Sequence, residues 1–506
     1  MNLRMFYIVF LVSIVSVVFA NGIAFQPEQI DVKGTIDNII IQDINNDSIP
    51  ELIVQNKRQL LIYKSESGKG YALNNTITFP DNIFIYEISD GLFGTSPQAI
   101  PEHRSASRLE GLIGITPEGL VKADLANTAG FSEVLRIPTI FRGKPNDRPI
   151  RSKFIYPDLG VFIPCENSFS LAQFNNNQYK VMFGIPCSPK TSVNYNELSV
   201  FEPMSTQTSI PRLVITDING DKKSDVLVLT ATEIKCFIND EKWVDSSVIQ
   251  VKNNDSNGIN IIAPIIGDIN NDGKADIVTT DSSNGVVNIY LSPDFRAPAQ
   301  IIRTGNWIVT NSLMDLNNDG LQDMVLVQMK KLGVLGGLQA FLAHSVDWEM
   351  AVYLARPEVI GATPPLRKDK GFPVSPDYIR EFNIPFTLNI SGSGNISGSK
   401  AINFDFQTPY LWSFSGDYNK DGLKDLLVST PDGKLQIYPG VAGRVFDQSP
   451  KYEITPASAK EGFNLVGMPL GEPIINDLNH DGISDIIIQL INPTSNVNRL
   501  EIFISK

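Results

Sequence analysis

One nine-residue pattern recurs six times along this chain and constrains its fold more than any other feature. It reads DINNDSIPE at 43–51, DINGDKKSD at 217–225, DINNDGKAD at 268–276, DLNNDGLQD at 315–323, DYNKDGLKD at 417–425 and DLNHDGISD at 477–485. Every copy has Asp first, Asn third, Asp fifth, and Asp or Glu ninth. A short apolar run precedes each copy, such as LVI at 213–215, and another follows at once, such as VLVL at 226–229. Short runs rich in β-branched residues and bounded by turn residues are strands. The unit is therefore strand, acidic loop, strand. Consecutive copies lie about 50 to 60 residues apart, room for one four-stranded propeller blade.

Two gaps between copies are longer. The first holds two weaker units, one at 85–90 with 109–120 and one at 154–158 with 161–163. The second, from Asp315 to Asp417, has the length of one blade plus a long loop insertion around 356–401. Few segments carry the 3.6-residue period of an amphipathic helix, and Gly, Pro and Asn punctuate the chain throughout. The expected fold is all-β: a seven- or eight-bladed β-propeller over 21–506, with an acidic loop between the first two strands of most blades. The last blade shows strands near 474–476, 485–489 and 499–504, and the segment 23–32 is expected to supply its outer strand.

Oxygen donors at alternate positions of a tight loop converge on one point, and carboxylates and amide carbonyls are the hard donors that calcium takes, six to eight at a time. The side-chain candidates are Asp43, Asn45, Asp47 and Glu51; Asp217, Asn219, Asp221 and Asp225; Asp268, Asn270, Asp272 and Asp276; Asp315, Asn317, Asp319 and Asp323; Asp417, Asn419, Asp421 and Asp425; and Asp477, Asn479, Asp481 and Asp485. The seventh residue, Ile49, Lys223, Lys274, Leu321, Leu423 or Ile483, would add its backbone carbonyl. An EF-hand needs Glu at position twelve between two helices. Here position twelve is Val54, Val228, Thr279, Leu326, Val428 or Ile488, inside an apolar strand. A single Asp-Asn-Gly cluster could be a plain turn; six copies with the same four donors argue for about six calcium sites. Glycine at position six allows the sharp turn in four copies, at Gly273, Gly320, Gly422 and Gly482. Ser48 and Lys222 replace it in the others, so the loops at Asp43 and Asp217 are expected to bind most weakly.

Strand, DxNxDGxxD loop, strand, repeated around a propeller, resembles the FG-GAP/VCBS repeats of integrin α-chains. The resemblance is specific at the six loops and implies the propeller fold and calcium binding. The secreted architecture is also distantly similar to the T-cell immunomodulatory protein family, which carries a C-terminal membrane anchor where this chain ends in a strand-like segment.

The formal net charge of −13 argues against nucleic-acid binding, which needs a basic face, and suits metal cations or basic partners. Residues 1–20 read as a signal peptide, with Arg4 ahead of an apolar run and Val18 and Ala20 at cleavage-site spacing, so a secreted or cell-surface protein without a transmembrane anchor after cleavage is expected. Cys165 and Cys187 share the context Ile-Pro-Cys and are disulfide candidates across a hairpin in an oxidising compartment; Cys236 alternates with apolar residues as a buried thiol does. Three histidines and the lack of HExxH or GxSxG leave no catalytic constellation. The expectation is therefore a calcium-stabilised ligand-binding or adhesion protein for an extracellular protein or glycan. A propeller enzyme acting on polysaccharide or lipid-linked glycan, or a pure scaffold, are the alternatives. Ligand-binding residues are expected on long blade-to-blade links, on the face opposite the acidic loops. One carries Arg142, Lys144, Arg148, Arg151 and Lys153; the other carries Arg367, Lys368 and Lys370. Both suit an anionic ligand.

Overall fold

The computed structural model describes residues 18–506 except 21–22, 46, 67–69, 90–110, 126–129, 143–146, 157, 176–177, 188–189, 196–203, 231–232, 240–243, 251–262, 332–341, 357–371, 374, 392–400, 407–411, 431, 443, 458–460, 467–471, 493 and 496. The chain folds as an eight-bladed β-propeller. It divides into two compact units, one of residues 35–408 with 443–445, the other of residues 1–34, 409–442 and 446–506.

The larger unit holds six blades. Blade 1 runs through Asn38–Gln42, Glu51–Asn56, Gln59–Glu66 and Gly70–Thr78. Blades 2 and 3 are the two weaker units of the sequence: Ile85–Ser89, Gly111–Thr116, Gly119–Ala123 and Ser132–Arg136, then Ile155–Tyr156, Gly160–Cys165, Ser168–Asn175 and Gln178–Pro186. A hairpin, Lys190–Tyr195 with Met204–Ser209, separates blade 3 from blade 4. Blade 4 comprises Arg212–Thr216, Asp225–Leu229, Glu233–Ile238 and Val244–Gln250; blade 5 comprises Ile265–Gly267, Asp276–Asp281, Val286–Tyr290 and Gln300–Arg303. Blade 6 comprises Trp307–Met314, Asp323–Met329, Ser345–Tyr353 and Tyr378–Ser391, with Ala401–Phe406 folded back on its fourth strand.

The smaller unit holds blade 7, Trp412–Gly416, Asp425–Ser429, Leu435–Tyr438 and Tyr452–Ile454, and blade 8. Blade 8 takes Ile474–Asn476, Asp485–Ile491 and Val497–Ser505 from the C-terminal end of the chain. Its fourth strand is Ile23–Lys33, antiparallel to Val497–Ser505 from Phe25↔Ser505 to Lys33↔Val497. The expected N-terminal strand is thus in place. Val18–Ala20 pairs with its start; residues 1–17 lie outside the described residues.

Why the second strand of each blade is a continuous apolar run follows from the packing. Alternate side chains point to opposite faces. In blade 4, Val226 and Val228 enter a core shared with Phe162 and Leu171 of blade 3, while Leu227 and Leu229 enter one shared with Ile277 of blade 5. Val278 of blade 5 then packs with Met324 and Leu326 of blade 6. Each second strand is buried on both faces, so neither set of positions can be polar. In the smaller unit, Leu427, Leu435 and Ile437 pack with Ile486, Ile488 and Phe503 around the buried Tyr418.

Two expectations are corrected here. The insertion at 356–401 is not a link between blades. Tyr353 to Tyr378 joins the third and fourth strands of blade 6, and Tyr378–Ser391 is that fourth strand. Strands alternate in direction, so this connection emerges on the same side as the acidic loop, not opposite it; Ala355 N–H donates to Asp323 at 2.8 Å. Cys165 and Cys187 are buried free thiols, as is Cys236. They do not face each other across a hairpin: Cys165 stands opposite Ser168, and Cys187 N–H donates to Asn167, so the chain at 167–168 lies between them.

Candidate functional site

Each acidic loop joins the first and second strands of its blade, as in blade 4 between Thr216 and Asp225. Inside the loop the acidic oxygens are organised by backbone N–H groups. In the loop at Asp315, the first residue accepts from Asp319 N–H at 3.2 Å and Gly320 N–H at 2.8 Å. Asn317 Oδ1 accepts from Asp319 N–H, and Asp319 Oδ1 accepts from Leu321 N–H at 2.8 Å. The same set recurs at Asp268, Asp417 and Asp477. The seventh residue is thus held through its N–H by the fifth carboxylate.

The ninth carboxylate does something the sequence reading missed. Asp225, Asp276, Asp323, Asp425 and Asp485 are fully buried. One oxygen of each accepts the N–H of position two: Ile218, Ile269, Leu316, Tyr418 or Leu478. The other accepts an N–H at the end of the third strand: Asn239, Ser292, Ala355, Gly440 or Ser505. It latches the loop to the third strand. Burial pushes the Asp276 carboxyl up to about 7 and those of Asp323 and Asp425 up to about 6. The two backbone bonds oppose that shift, and the carboxylates at positions five and one add to it. Asp225 and Asp485 are raised by the same burial. The signal in the sequence was the placement of this residue at the first position of an apolar strand.

Position six is left-handed in all six loops, with φ of 68° at Ser48, 65° at Lys222 and 82° to 85° at the four glycines. Position four is left-handed as well, at Gly220, Asn271, Asn318, Lys420 and His480. The reading by glycine content saw only the first of these. Lys222 sits in a loop whose glycine occupies position four, whereas Lys420 and His480 precede a glycine at position six. The loops at Asp217, Asp417 and Asp477 therefore carry one bulky left-handed residue each. The loop at Asp43 differs in kind. Glu51 accepts from Ile44 N–H at 2.9 Å and from the Asn45 amide, and Lys64 Nζ bonds Asp47 at 2.8 Å, holding its carboxyl below the ordinary range.

Neighbouring loops touch within each unit. Ala275 N–H donates to the carbonyl of Asp217, and Ser484 N–H to that of Asp417, both at 2.9 Å. Lys420 Nζ reaches the carbonyl of Asp481 at 2.5 Å. Lys274 lies against Gly220, where a Cβ would meet its side chain at 2.9 Å.

The donor chemistry of each loop fits calcium: three carboxylates and an amide oxygen, hard donors all, crowded enough that those at positions one and five raise the ninth. As placed, no three acidic, His or Cys side chains among the described residues close around a common point. In four loops the Asn amide nitrogen, not its oxygen, faces the fifth carboxylate, as Asn317 does with Asp319 at 3.0 Å.

On the other side of the blades, the basic link expected at 139–153 is partly committed already. Arg142 donates to the carbonyls of Thr139 and Phe141, and Arg148 pairs with Asp37 at 2.7 Å. Arg151 and Lys153 are exposed. Lys144, Arg367, Lys368 and Lys370 lie outside the described residues. No helix among the described residues is long and apolar enough to cross a membrane.

The FG-GAP-like repeat family matches residues 217–279 and 268–326, which span the three acidic loops of blades 4 to 6. The chain thus carries FG-GAP-like repeats. No curated protein matches it. Among solved structures, it is similar to BBS1N in complex with ARL6DN, at 10% identity over 94% of this chain and 95% of that one, with a TM-score of 0.35. A lectin of Agrocybe aegerita, described as recognising non-reducing terminal N-acetylglucosamine, gives 11% identity over 82% of this chain and 79% of that one, again at 0.35. The V. cholerae biofilm matrix protein Bap1 gives 10% identity, 93% and 67% coverage and a TM-score of 0.23. Superpositions of that quality bear on no function, and the blade pairing itself carries the fold assignment.

Proposed function

We propose that this protein is a secreted, non-catalytic binding propeller whose acidic loops take calcium as a structural ion. The observation that carries the metal reading is the repeated loop: six copies of one oxygen-donor set, five of them tied by the ninth carboxylate to the third strand of their own blade. In each loop, the side chains at positions one, three, five and nine would hold the ion together with the carbonyl of position seven. Bound there, calcium would supply positive charge to carboxylates that otherwise repel one another. The loops' own work is positional. Their Asx-type bonds set the turn, the ninth carboxylate holds the third strand, and the contacts between neighbouring loops join blade to blade. None of this aims a reactive group at a cleft, which favours binding over catalysis.

Melting curves with calcium, with magnesium and with excess chelator test the metal. Calcium should raise the melting temperature and chelator lower it, while identical curves would leave the loops as ordinary turns. A glycan and ectodomain array probed in calcium tests the binding role, and turnover of any arrayed polysaccharide would replace it with the enzymatic alternative.

A further inference from the structure

We propose that the Ser505 hydroxyl is an additional calcium ligand of the acidic loop at Asp477, and that the ion bound there clamps the N-terminal strand into blade 8. The inference rests on the reading of the loops as calcium sites and deepens it. It gives one loop a ligand from outside its own nine residues, and it gives the ion a regulatory consequence.

In five blades a residue at the end of the third strand gives its N–H to the ninth carboxylate: Asn239, Ser292, Ala355, Gly440 or Ser505. Their side chains differ. Ala355 and Gly440 bring no side-chain oxygen, and the Ser292 hydroxyl donates to the carbonyl of Ala275. Ser505 turns its hydroxyl into the loop instead. Its Oγ lies 2.7 Å from Asp485 Oδ1, 3.1 Å from Asp481 Oδ2 and 3.3 Å from Asp481 Oδ1. The Asn479 amide reaches the Ser505 carbonyl at 2.9 Å. Ser505 and Asp485 are both buried.

A hydroxyl has one hydrogen to donate. It can serve one of these three carboxylate oxygens, and Asp485 Oδ1 is the nearest. The lone pairs of Ser505 Oγ are then left facing the two oxygens of Asp481, acceptor against acceptor. Polar groups buried in such an arrangement cost free energy unless something satisfies them. A cation shared between Ser505 and Asp481 does so. Oxygens bound to one calcium ion at about 2.3–2.6 Å stand roughly 3 Å from one another, and Ser505 Oγ keeps that kind of separation from Asp481. A hydroxyl that ligates through a lone pair keeps its hydrogen for Asp485, so ligation and the bond to the ninth carboxylate are compatible.

The consequence follows from where Ser505 sits. It ends the strand Val497–Ser505 and stands opposite Phe25, a buried residue near the start of the N-terminal strand. The next N–H, that of Lys506, donates to the carbonyl of Ala24 at 2.9 Å. An ion held by the loop and by Ser505 therefore fixes the strand end against which residues 24 and 25 pair. Calcium at this loop stabilises the completion of blade 8, beyond neutralising the loop itself.

Hydrogen exchange followed across a calcium titration of the full chain tests this blade by blade. In the wild-type chain, protection of 23–33 and 497–505 should rise with calcium. Ser505→Ala should move that rise to roughly tenfold higher calcium, the scale on which lost supporting groups weaken metal sites. The rise at 276–281 in blade 5 should keep its midpoint. In excess chelator, Ser505→Ala should leave the melting temperature unchanged or slightly raised, because the crowded hydroxyl is gone. A hydroxyl that only hydrogen-bonds Asp485 would give the same loss of stability with and without calcium, and that result overturns the proposal. Ser505→Cys has a similar size but swaps a hard oxygen for a soft sulfur; should the Ala variant not fold, the Cys variant must show the same shift. A blade 8 midpoint that the variant leaves in place also overturns the proposal, while a calcium-dependent rise in blade 5 would leave the general calcium reading standing. No calcium-dependent rise in any blade overturns both.

Discussion

At the scale of single residues, the ninth position of five acidic loops bonds two backbone N–H groups at once, one in its own loop and one at the end of the third strand. Asp425 is buried, and its two oxygens satisfy Tyr418 and Gly440. Replacing it by Ala strands two buried N–H groups, each worth about 1–3 kcal/mol when left unpaired. Asp425→Ala should therefore cost at least 2 kcal/mol or so by this count, even in excess chelator. Asp421→Ala removes an exposed carboxylate that accepts from Leu423 N–H and the Asn419 amide, groups that water can reach, and should cost well under half as much under the same conditions. Urea unfolding of the two variants in chelator measures the gap, and equal losses would mean the latch contributes nothing. Left-handed positions give a second residue-scale expectation. Lys222 holds φ of 65° where four other loops use glycine. Lys222→Gly should stabilise the protein by about 1 kcal/mol, and Gly273→Ala at φ of 82° should destabilise it comparably. Thermal melts in chelator check both signs.

At the scale of elements, the joints between strands decide stability. Blade 8 is completed by Ile23–Lys33, whose Ile30 and Val32 are buried. Arg499 on the partner strand binds Asp31 with two hydrogen bonds, Glu461 with a third, and lies 4.2 Å from the centre of the Phe463 ring. Ile30→Ala should cost about 2–4 kcal/mol, as buried aliphatic truncations do, and hydrogen exchange should show blade 8 opening before blades 4 and 5. Protection lost equally in all three would contradict this. The junction of blades 2 and 3 carries a pH dependence. Burial raises the Glu87 carboxyl above its ordinary 4.5, although the N–H groups of Phe154 and Ile155 pull it down. A carboxyl raised in the folded state stabilises fully below its unfolded value, and that contribution is lost as pH climbs through the folded value. Glu87→Gln, which keeps an acceptor for the two N–H groups, should therefore raise the melting temperature at pH 7 and leave it unchanged near pH 4.

At the scale of the whole molecule, charge is the governing quantity. A chain of net charge −13 carries much of its acidity in six loops, and six calcium ions would add roughly twelve positive charges. An ion that binds only the folded form stabilises it by about 2.7 kcal/mol per independent site at a hundredfold excess over its dissociation constant. Calcium should therefore shift the melting temperature by far more than magnesium at equal ionic strength, and the loop at Asp43, with Lys64 already on Asp47, should contribute least. Calorimetry on Asp43→Ala and Asp315→Ala measures that ranking; equal losses of bound calcium would reverse it.

What the sequence by itself determined was everything that repeats locally. Strand, acidic loop and strand were legible because turn residues and β-branched runs act over a few positions, and the N-terminal strand of blade 8 was legible because one blade lacked it. Blades 2 and 3 were legible only as weak units, since without an acidic loop their strands are marked by apolar runs alone. The tertiary structure decided the rest, because it depends on partners distant in the chain. It gave the ninth carboxylate its second bond, which comes from the end of the third strand, 14 to 32 residues away. It turned 356–401 from a link between blades into the third-to-fourth connection of blade 6 and its outer strand, since apolar spacing cannot say which strand a segment will pair with.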